Sequence, residues 1–294
     1  MRLISALLSR LHRIDSIESR CERIQEALGR IEARQLRAVS LPSTQEAEFR
    51  VFSQWGEDGI IQWLVHLVPI ARRVFVEFGV QDYQEANTRF LLVNDGWSGL
   101  IMDGDENYIN RIRSSDLYWR YNLKAQSAFV TRENINELLL ASGMSGDIGL
   151  LSIDIDGNDY WVWEAIEAVS PRIVVSEYNA RFGFERPVTI PYEPNFVRSR
   201  AHYSSIYYGA SLLALERLGA RKGYALVGCN SAGNNAFFVR SDCLPEQLRA
   251  LSAREAFAPS QFRESRDQQS QLQFLSPEQE RSVLESLPLV NVEG

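Results

Sequence analysis

Apolar residues in this chain recur with two periods. Over residues 1–38 they fall at Ile4, Leu7, Leu11, Ile14, Ile17, Cys21, Ile24, Leu28 and Ile31, in steps of three and four. That spacing is a heptad seam, with one phase break at the three-residue step Ile14–Ile17. Arg10, Arg13, Glu18, Arg20, Glu22, Arg23, Glu26 and Arg30 lie between the seam positions, as the solvated flanks of a coiled coil require. The pattern predicts one long helix. Three roles stand open for it: packing on its own domain, lying on a membrane surface through its basic first turns, or self-association. Self-association as a coiled coil is preferred and makes the chain a homo-oligomer. Ser40-Leu-Pro-Ser-Thr44 then stops the helix, so residues 39–46 read as a linker.

From residue 47 the apolar positions come in short runs separated by helical spacing. Val74-Phe-Val76, Gly99-Leu-Ile-Met-Asp103, Ser127-Ala-Phe-Val130, Ile148–Ile155 and Pro171–Glu177 read as strands. Helical segments stand before and between them, through Ile60–Val68, Phe90–Leu92, Ile135–Leu139 and Trp161–Ile166. Strand and helix in alternation imply βαβ units and a parallel sheet covered on both faces. Pro-rich residues 180–204 form a long loop, a helix is expected from Ser205 to Leu218, and Tyr224–Cys229 with Ala236–Arg240 reads as a wide-turned hairpin. The fold class is thus α/β and Rossmann-like: parallel strands closed by an antiparallel hairpin strand, preceded by a long N-terminal helix. Residues 47–243 form the catalytic domain. Residues 244–294 are a polar segment with short helices, and Glu264–Gln273 is expected to be solvated and mobile.

Composition narrows the partners. At 45% apolar and 23% charged, the 294-residue chain reads as a globular protein. Its net charge of −7 is uneven: residues 1–40 carry eight arginines against five acids, +3, leaving −10 on the remainder. An acidic body excludes a nucleic-acid duplex as partner. The cysteines Cys21, Cys229 and Cys243 have no metal spacing, which fits a reducing cytoplasm. No apolar run is long enough to span a bilayer, and Met1–Leu8 is too weak for a signal peptide. A cytoplasmic protein is expected, with peripheral contact at the inner membrane face if the basic helix lies there.

The candidate chemistry sits at strand ends. Glu77, Asp103, Asp154, Asp156, Asp159 and Glu177 all close or follow strands, and in a parallel sheet those ends share one edge. Gly79 allows a tight turn where a side chain would block a ligand, and an acid at Asp103 suits a ribose. Asn87 and Thr88, before the next helix, and Gln54 are further candidate ligand contacts; Ser53 or Asp58 serves equally as a helix cap. As partners for so many acids, a sulfonium or amine, sugar hydroxyls or a metal remain open.

Glu77-Phe-Gly79 through Asn87-Thr88, the Asp103 strand, Leu150-Leu-Ser-Ile-Asp-Ile-Asp-Gly-Asn-Asp159 and Val174-Val-Ser-Glu177 together resemble the FkbM-type methyltransferases, from about Phe52 to Arg240. The resemblance implies a class I S-adenosylmethionine (SAM) fold and O-methylation of sugar hydroxyls in glycans or glycosylated products. By it, Glu77 and Gly79 border the methionine part, Asp103 the ribose, and Ser127, Ala128 and Phe129 the adenine, with Asp154 beside the methyl group. The turn after Gly79 departs from the common SAM loop in lacking its later glycines. Asp154 or His202, with Asp156 beside them, is the candidate base. Asp154, Asp156 and Glu177 are candidate Mg²⁺ ligands, since Asp-Ile-Asp-Gly-Asn-Asp also resembles the metal-binding segment of macrolide sugar O-methyltransferases. A carbohydrate acceptor is expected, with a glycosyltransferase as a further partner. Methylation of a small metabolite and a non-catalytic scaffold that recruits glycan-assembly enzymes are the alternatives.

Overall fold

The computed structural model describes the backbone of residues 2–292 and the side chains of residues 16, 17 and 19–292. The seam positions Ile4, Leu7, Leu11 and Ile14 lie outside the described side chains. Helix α1 (Arg2–Leu36) is a single 35-residue element. Its last turns rest on the body: Ala33 is buried, and a Cβ at Gly29 would stand 2.3 Å from the Val51 side chain. The expected linker is packed too, since Thr44 is buried and donates to the Cys229 carbonyl at 3.1 Å.

The body follows in the order α2 (Glu57–Leu67), β1 (Val74–Phe78), α3 (Arg89–Asp95), β2 (Ser98–Asp103), α4 (Glu106–Arg113), α5 (Asp116–Arg120), β3 (Leu123–Ser127), α6 (Ile135–Ala141), β4 (Gly146–Ile153), α7 (Asp159–Ala165) and β5 (Val169–Glu177). Then come β6 (Val188–Thr189), α8 (Arg198–Ala201), α9 (Leu212–Arg221), β7 (Tyr224–Cys229), β8 (Asn235–Arg240), α10 (Ala253–Ala256), α11 (Pro277–Glu285) and β9 (Val290–Asn291). Seven strands form one sheet in the order β3-β2-β1-β4-β5-β8-β7, parallel except for β8, which runs against both neighbours. This is the Rossmann-like sheet with a terminal antiparallel hairpin strand that the sequence pattern implies. Alternation along β1 divides the core. Val74, Val76 and Phe78 pack with α6, α7 and α9, while Phe75 packs with α2, α3 and α4 on the other face. Burial on both faces is why the central strands are continuous apolar runs.

Three expectations shift. β3 begins at Leu123, four residues before the apolar run that was expected to form it. It is an edge strand, buried only at alternate positions, so its sequence alternates instead of running apolar. Helix α9 begins at Leu212, where the Ser211 hydroxyl accepts from the Ala214 N–H; Ser205–Ala210 is loop. The tail is also engaged with the body: β9 pairs with β6, and the stretch around Phe262–Glu264 reaches the edge of the sheet where Glu77, Asp154 and Glu177 lie. Among the described residues, no helix is long and apolar enough to cross a membrane.

Candidate active site

The sheet order reverses between β1 and β4, and ligands of open α/β sheets bind at such a switch point. There Gly79 adopts φ +72°, and a Cβ on it would stand 1.6 Å from the Asp154 carbonyl oxygen. The glycine is needed at least because two strand-end turns touch there.

Two cavities meet at this crossing. One, of about 230 Å³, is lined by Gln81, Asp103, Gly104, Ala128, Phe129 and Phe196. The other, of about 610 Å³, is lined by Gln54, Trp55, Asn87, Glu177, Asn235 and Phe262, among others. Gly79, Gln81, Asp154 and Asp156 belong to both. Past Asp156 and Arg198 the crevice opens into a groove of about 510 Å³ along Phe129, Phe196, Ser199, Arg266 and Leu272.

Much of the acidity is spent on holding loops. Asp103 Oδ2 accepts the Gln81 N–H at 2.7 Å and Oδ1 the Asp105 N–H at 2.8 Å, which ties the β1 and β2 turns together. Glu77 accepts the Asn87 N–H at 2.8 Å and both the N–H and hydroxyl of Thr88 at 3.1 and 2.5 Å. Burial pushes the Glu77 carboxyl up to about 7, against the pull of those donors. Asp58 likewise accepts the N–H groups of Val51, Phe52 and Ser53, so it staples the segment that carries Gln54 and Trp55 to the crevice mouth. Glu57 accepts from Asn230 and Asn235 at 2.8 and 2.9 Å and fixes the β7–β8 turn.

Asp154, Asp159 and Glu177 form the chemical centre, with carboxylate oxygens all within 4.8 Å of one another. Asp159 also accepts the N–H groups of Ile155 and Gly157 at 2.9 and 3.0 Å. Glu177 is 6% exposed and its Oε2 is buried without a hydrogen-bond partner. Burial, reinforced by the neighbouring acids, raises the carboxyls of Asp154 and Glu177 well above the usual range, and burial pushes Asp159 up to about 6. Three carboxyls held so close need a proton or a cation between them. Oxygen ligands alone, at that spacing, fit a hard divalent ion such as Mg²⁺.

Several expected residues stand elsewhere. Asp156 is not in the acid cluster: it is half-exposed and pairs with Arg198 at 2.7 Å, so Asp159 takes its place in the candidate metal set. His202 does not line the crevice; its Nδ1 meets the Ser204 hydroxyl at 2.6 Å and its ring packs on Tyr203. From its neighbourhood Arg198 points inward instead. Thr88 is fully buried between Glu77 and the Tyr83 hydroxyl, and Ser127 is exposed outside the cavity that Ala128 lines. Arg181 is paired with Glu264 and Glu280, and Arg186 with Glu285.

Other side chains line the crevice. Arg198 bridges Asp156 and Glu264, each at 2.7 Å, and lies 3.8 Å over the Tyr208 ring. Trp55 and Phe262 stack at 5.2 Å at the mouth. Phe196 packs where a Cβ at Gly157 would stand 2.2 Å away, so that glycine makes room for its ring.

No protein-family model matches this sequence, and none of the curated proteins compared with it matches either. Similar solved structures include the N-terminal domain of EvdMO1 with SAH bound, 12% identical over 72% of this chain and 94% of that one, with a TM-score of 0.39. They also include the O-methyltransferase from Bacillus cereus in complex with SAH (15%, 56% and 72%, TM-score 0.35) and the CurJ carbon methyltransferase (9%, 67% and 57%, TM-score 0.41). Likeness at this level adds nothing to what the strand order itself shows, and the fold rests on that order.

Proposed function

We propose that this chain is a SAM-dependent O-methyltransferase of the FkbM type, acting on a sugar hydroxyl of a glycan or glycosylated product. The observation that carries the reading is the divided crevice at the β1/β4 switch point, with Asp154 on the wall that its two cavities share. The smaller cavity suits a nucleoside: Asp103 keeps lone pairs free for ribose hydroxyls, Gly104 presents no side chain, and Phe129 and Phe196 offer flat faces to a base. When bound, SAM supplies an activated methyl group. The protein's tasks are then to align the acceptor and take its hydroxyl proton.

Asp154 is the base in this reading. Burial and the neighbouring acids raise its pKa, and a cation beside it would lower that pKa again and favour the basic form when the site is loaded. Mg²⁺ held by Asp154, Asp159 and Glu177 would add acidity to the acceptor hydroxyl. The open groove beyond Arg198 favours a glycan over a small metabolite, because it extends the acceptor side well past the acid cluster. Trp55 and Phe262 give a sugar apolar faces at the entrance.

Calorimetric titration of the purified chain with SAM tests this, with and without Mg²⁺ and EDTA, beside Asp103→Asn and Asp103→Ala. Micromolar binding that weakens in Asp103→Asn and is lost in Asp103→Ala is expected. Absence of binding in every condition would sink the methyltransferase reading and leave a non-catalytic scaffold.

A further inference from the structure

Helix α1 has two different faces. Glu22, Gln25, Gly29, Ala33 and Leu36 turn to the body. Glu22 pairs with Arg89 at 2.6 Å, the Gln25 amide donates to the Val51 carbonyl, and Ala33 and Leu36 are 3% and 9% exposed. Ile17, Cys21, Ile24, Leu28 and Ile31 turn away from it. Ile17, Ile24, Leu28 and Ile31 are 53%, 61%, 57% and 48% exposed, and Cys21 is exposed as well. At 100° per residue the two stripes are roughly a third of a turn apart, so the contact with the body leaves the apolar stripe uncovered. A row of apolar side chains this regular on a surface marks an interaction site.

The charges beside the stripe identify its occupant. With Cys21 and Leu28 at a, and Ile17, Ile24 and Ile31 at d, the g positions are Arg20, Ala27 and Arg34, and the e positions are Gln25 and Glu32. The sequence continues this pattern upstream with Arg13 at g and Glu18 at e. In a parallel pairing each g faces the e of the next heptad on the partner. Among the described positions that sets Arg20 beside Gln25, whose amide is held by the body, and Ala27 beside Glu32, with no like-charge pair. An antiparallel pairing matches g with g and e with e, setting Arg20 against Arg34 and Glu18 against Glu32. The stripe is therefore complementary to itself in one orientation only.

We infer that α1 self-associates as a parallel, in-register bundle of identical chains through Ile17, Cys21, Ile24, Leu28 and Ile31. Isoleucine at d beside Leu28 at a favours three or four strands over two. The bundle also bears on the catalytic body. Arg89, which receives Glu22 from α1, donates to the carbonyls of Tyr83 and Gln84 in the turn after Gly79. The assembling helix is thus braced against the loop that borders the larger cavity.

Two measurements on the full chain decide this. Sedimentation equilibrium at micromolar concentration should give three or four times the 33.5-kDa chain. Ile24→Asp with Leu28→Asp should reduce that to one chain while the body stays folded, since both side chains are exposed. A monomeric wild type, or an assembly indifferent to the double substitution, overturns the proposal; a two-chain mass overturns the strand count. Orientation is read by mild oxidation and a non-reducing gel. Parallel strands bring the Cys21 residues of neighbouring chains together, and a covalent dimer forms that Cys21→Ser abolishes. Antiparallel strands offset them by roughly 15 Å, beyond disulfide reach, so an oligomer that gives no Cys21-dependent dimer refutes the parallel register.

Discussion

Asp154 and Glu177 differ from the other strand-end acids in what surrounds them. Glu77 and Asp103 spend their oxygens on backbone donors, whereas Glu177 Oε2 has no partner and Asp154 faces both cavities. An unpaired buried carboxyl costs stability unless it is protonated or meets a cation, so these two are held for a ligand. Asp154→Asn should therefore lower kcat by about 10²–10⁴-fold while SAM affinity changes only several-fold, as rates and calorimetry would show; near-normal turnover would remove Asp154 from the base role. The pH–rate profile should rise with pH, because a carboxyl with a raised pKa becomes a base only on losing its proton. Mg²⁺ should move that rise to lower pH. Glu177→Gln should abolish the Mg²⁺ effect, whereas Asp156→Asn should keep it, because Asp156 answers to Arg198 and not to the cluster.

Element packing explains what was legible and what was not. β1, β2, β4 and β5 are buried on both sides, so each is an apolar run ending in or just before an acid, and both strands and acids were readable. β3 sits at the edge, and Leu123 and Ala125 alternate with exposed Lys124, a pattern too faint to outweigh the apolar run that follows. Glu264 and Phe262 were unreadable for another reason. Nothing local marks a polar tail as part of a site about 90 residues upstream; only the folded chain brings Glu264 to Arg198. The metal set differs at one member in Asp-Ile-Asp-Gly-Asn-Asp, where Asp156 at φ +56° turns outward and Asp159, three residues on, returns inward at the start of α7. Gly79 lines both cavities and also lets the β1 and β4 turns touch. Since a Cβ there meets the Asp154 carbonyl at 1.6 Å and φ is +72°, Gly79→Ala must push β1 and β4 turns apart. A loss of about 3 kcal/mol is expected in urea unfolding, with SAM binding lost in the fraction that remains folded. A loss below about 1 kcal/mol would mean the crossing is far more pliable than its contacts indicate.

At the scale of the whole molecule, the acids that build the site should govern how stability depends on pH. Burial raises Glu77 from 4.5 to about 7, and Asp58 and Asp159 from 3.8 to about 6. A carboxyl whose folded pKa exceeds its unfolded one holds its proton in the folded state after the unfolded chain has released it. The folded state then binds more protons across that interval, so stability falls as pH rises through it. For Glu77 the interval lies between 4.5 and about 7, and the change amounts to about 3 kcal/mol. The ligand-free protein should accordingly show a Tm that drops steadily from pH 5 to pH 8, against the common rise of stability towards neutral pH. Surface repulsion in a chain of net charge −7 pushes in the same direction, but it is screened by salt while buried carboxyls are screened much less. The slope should thus survive about 0.5 M NaCl and become shallower in Glu77→Gln. SAM and Mg²⁺ should flatten it further, because a cation in the crevice stabilises the ionised forms of Asp154, Asp159 and Glu177. A Tm that is flat or rising over this range without ligand would show that these acids are already ionised and compensated in the empty protein, and the requirement for a bound cation would fall with it.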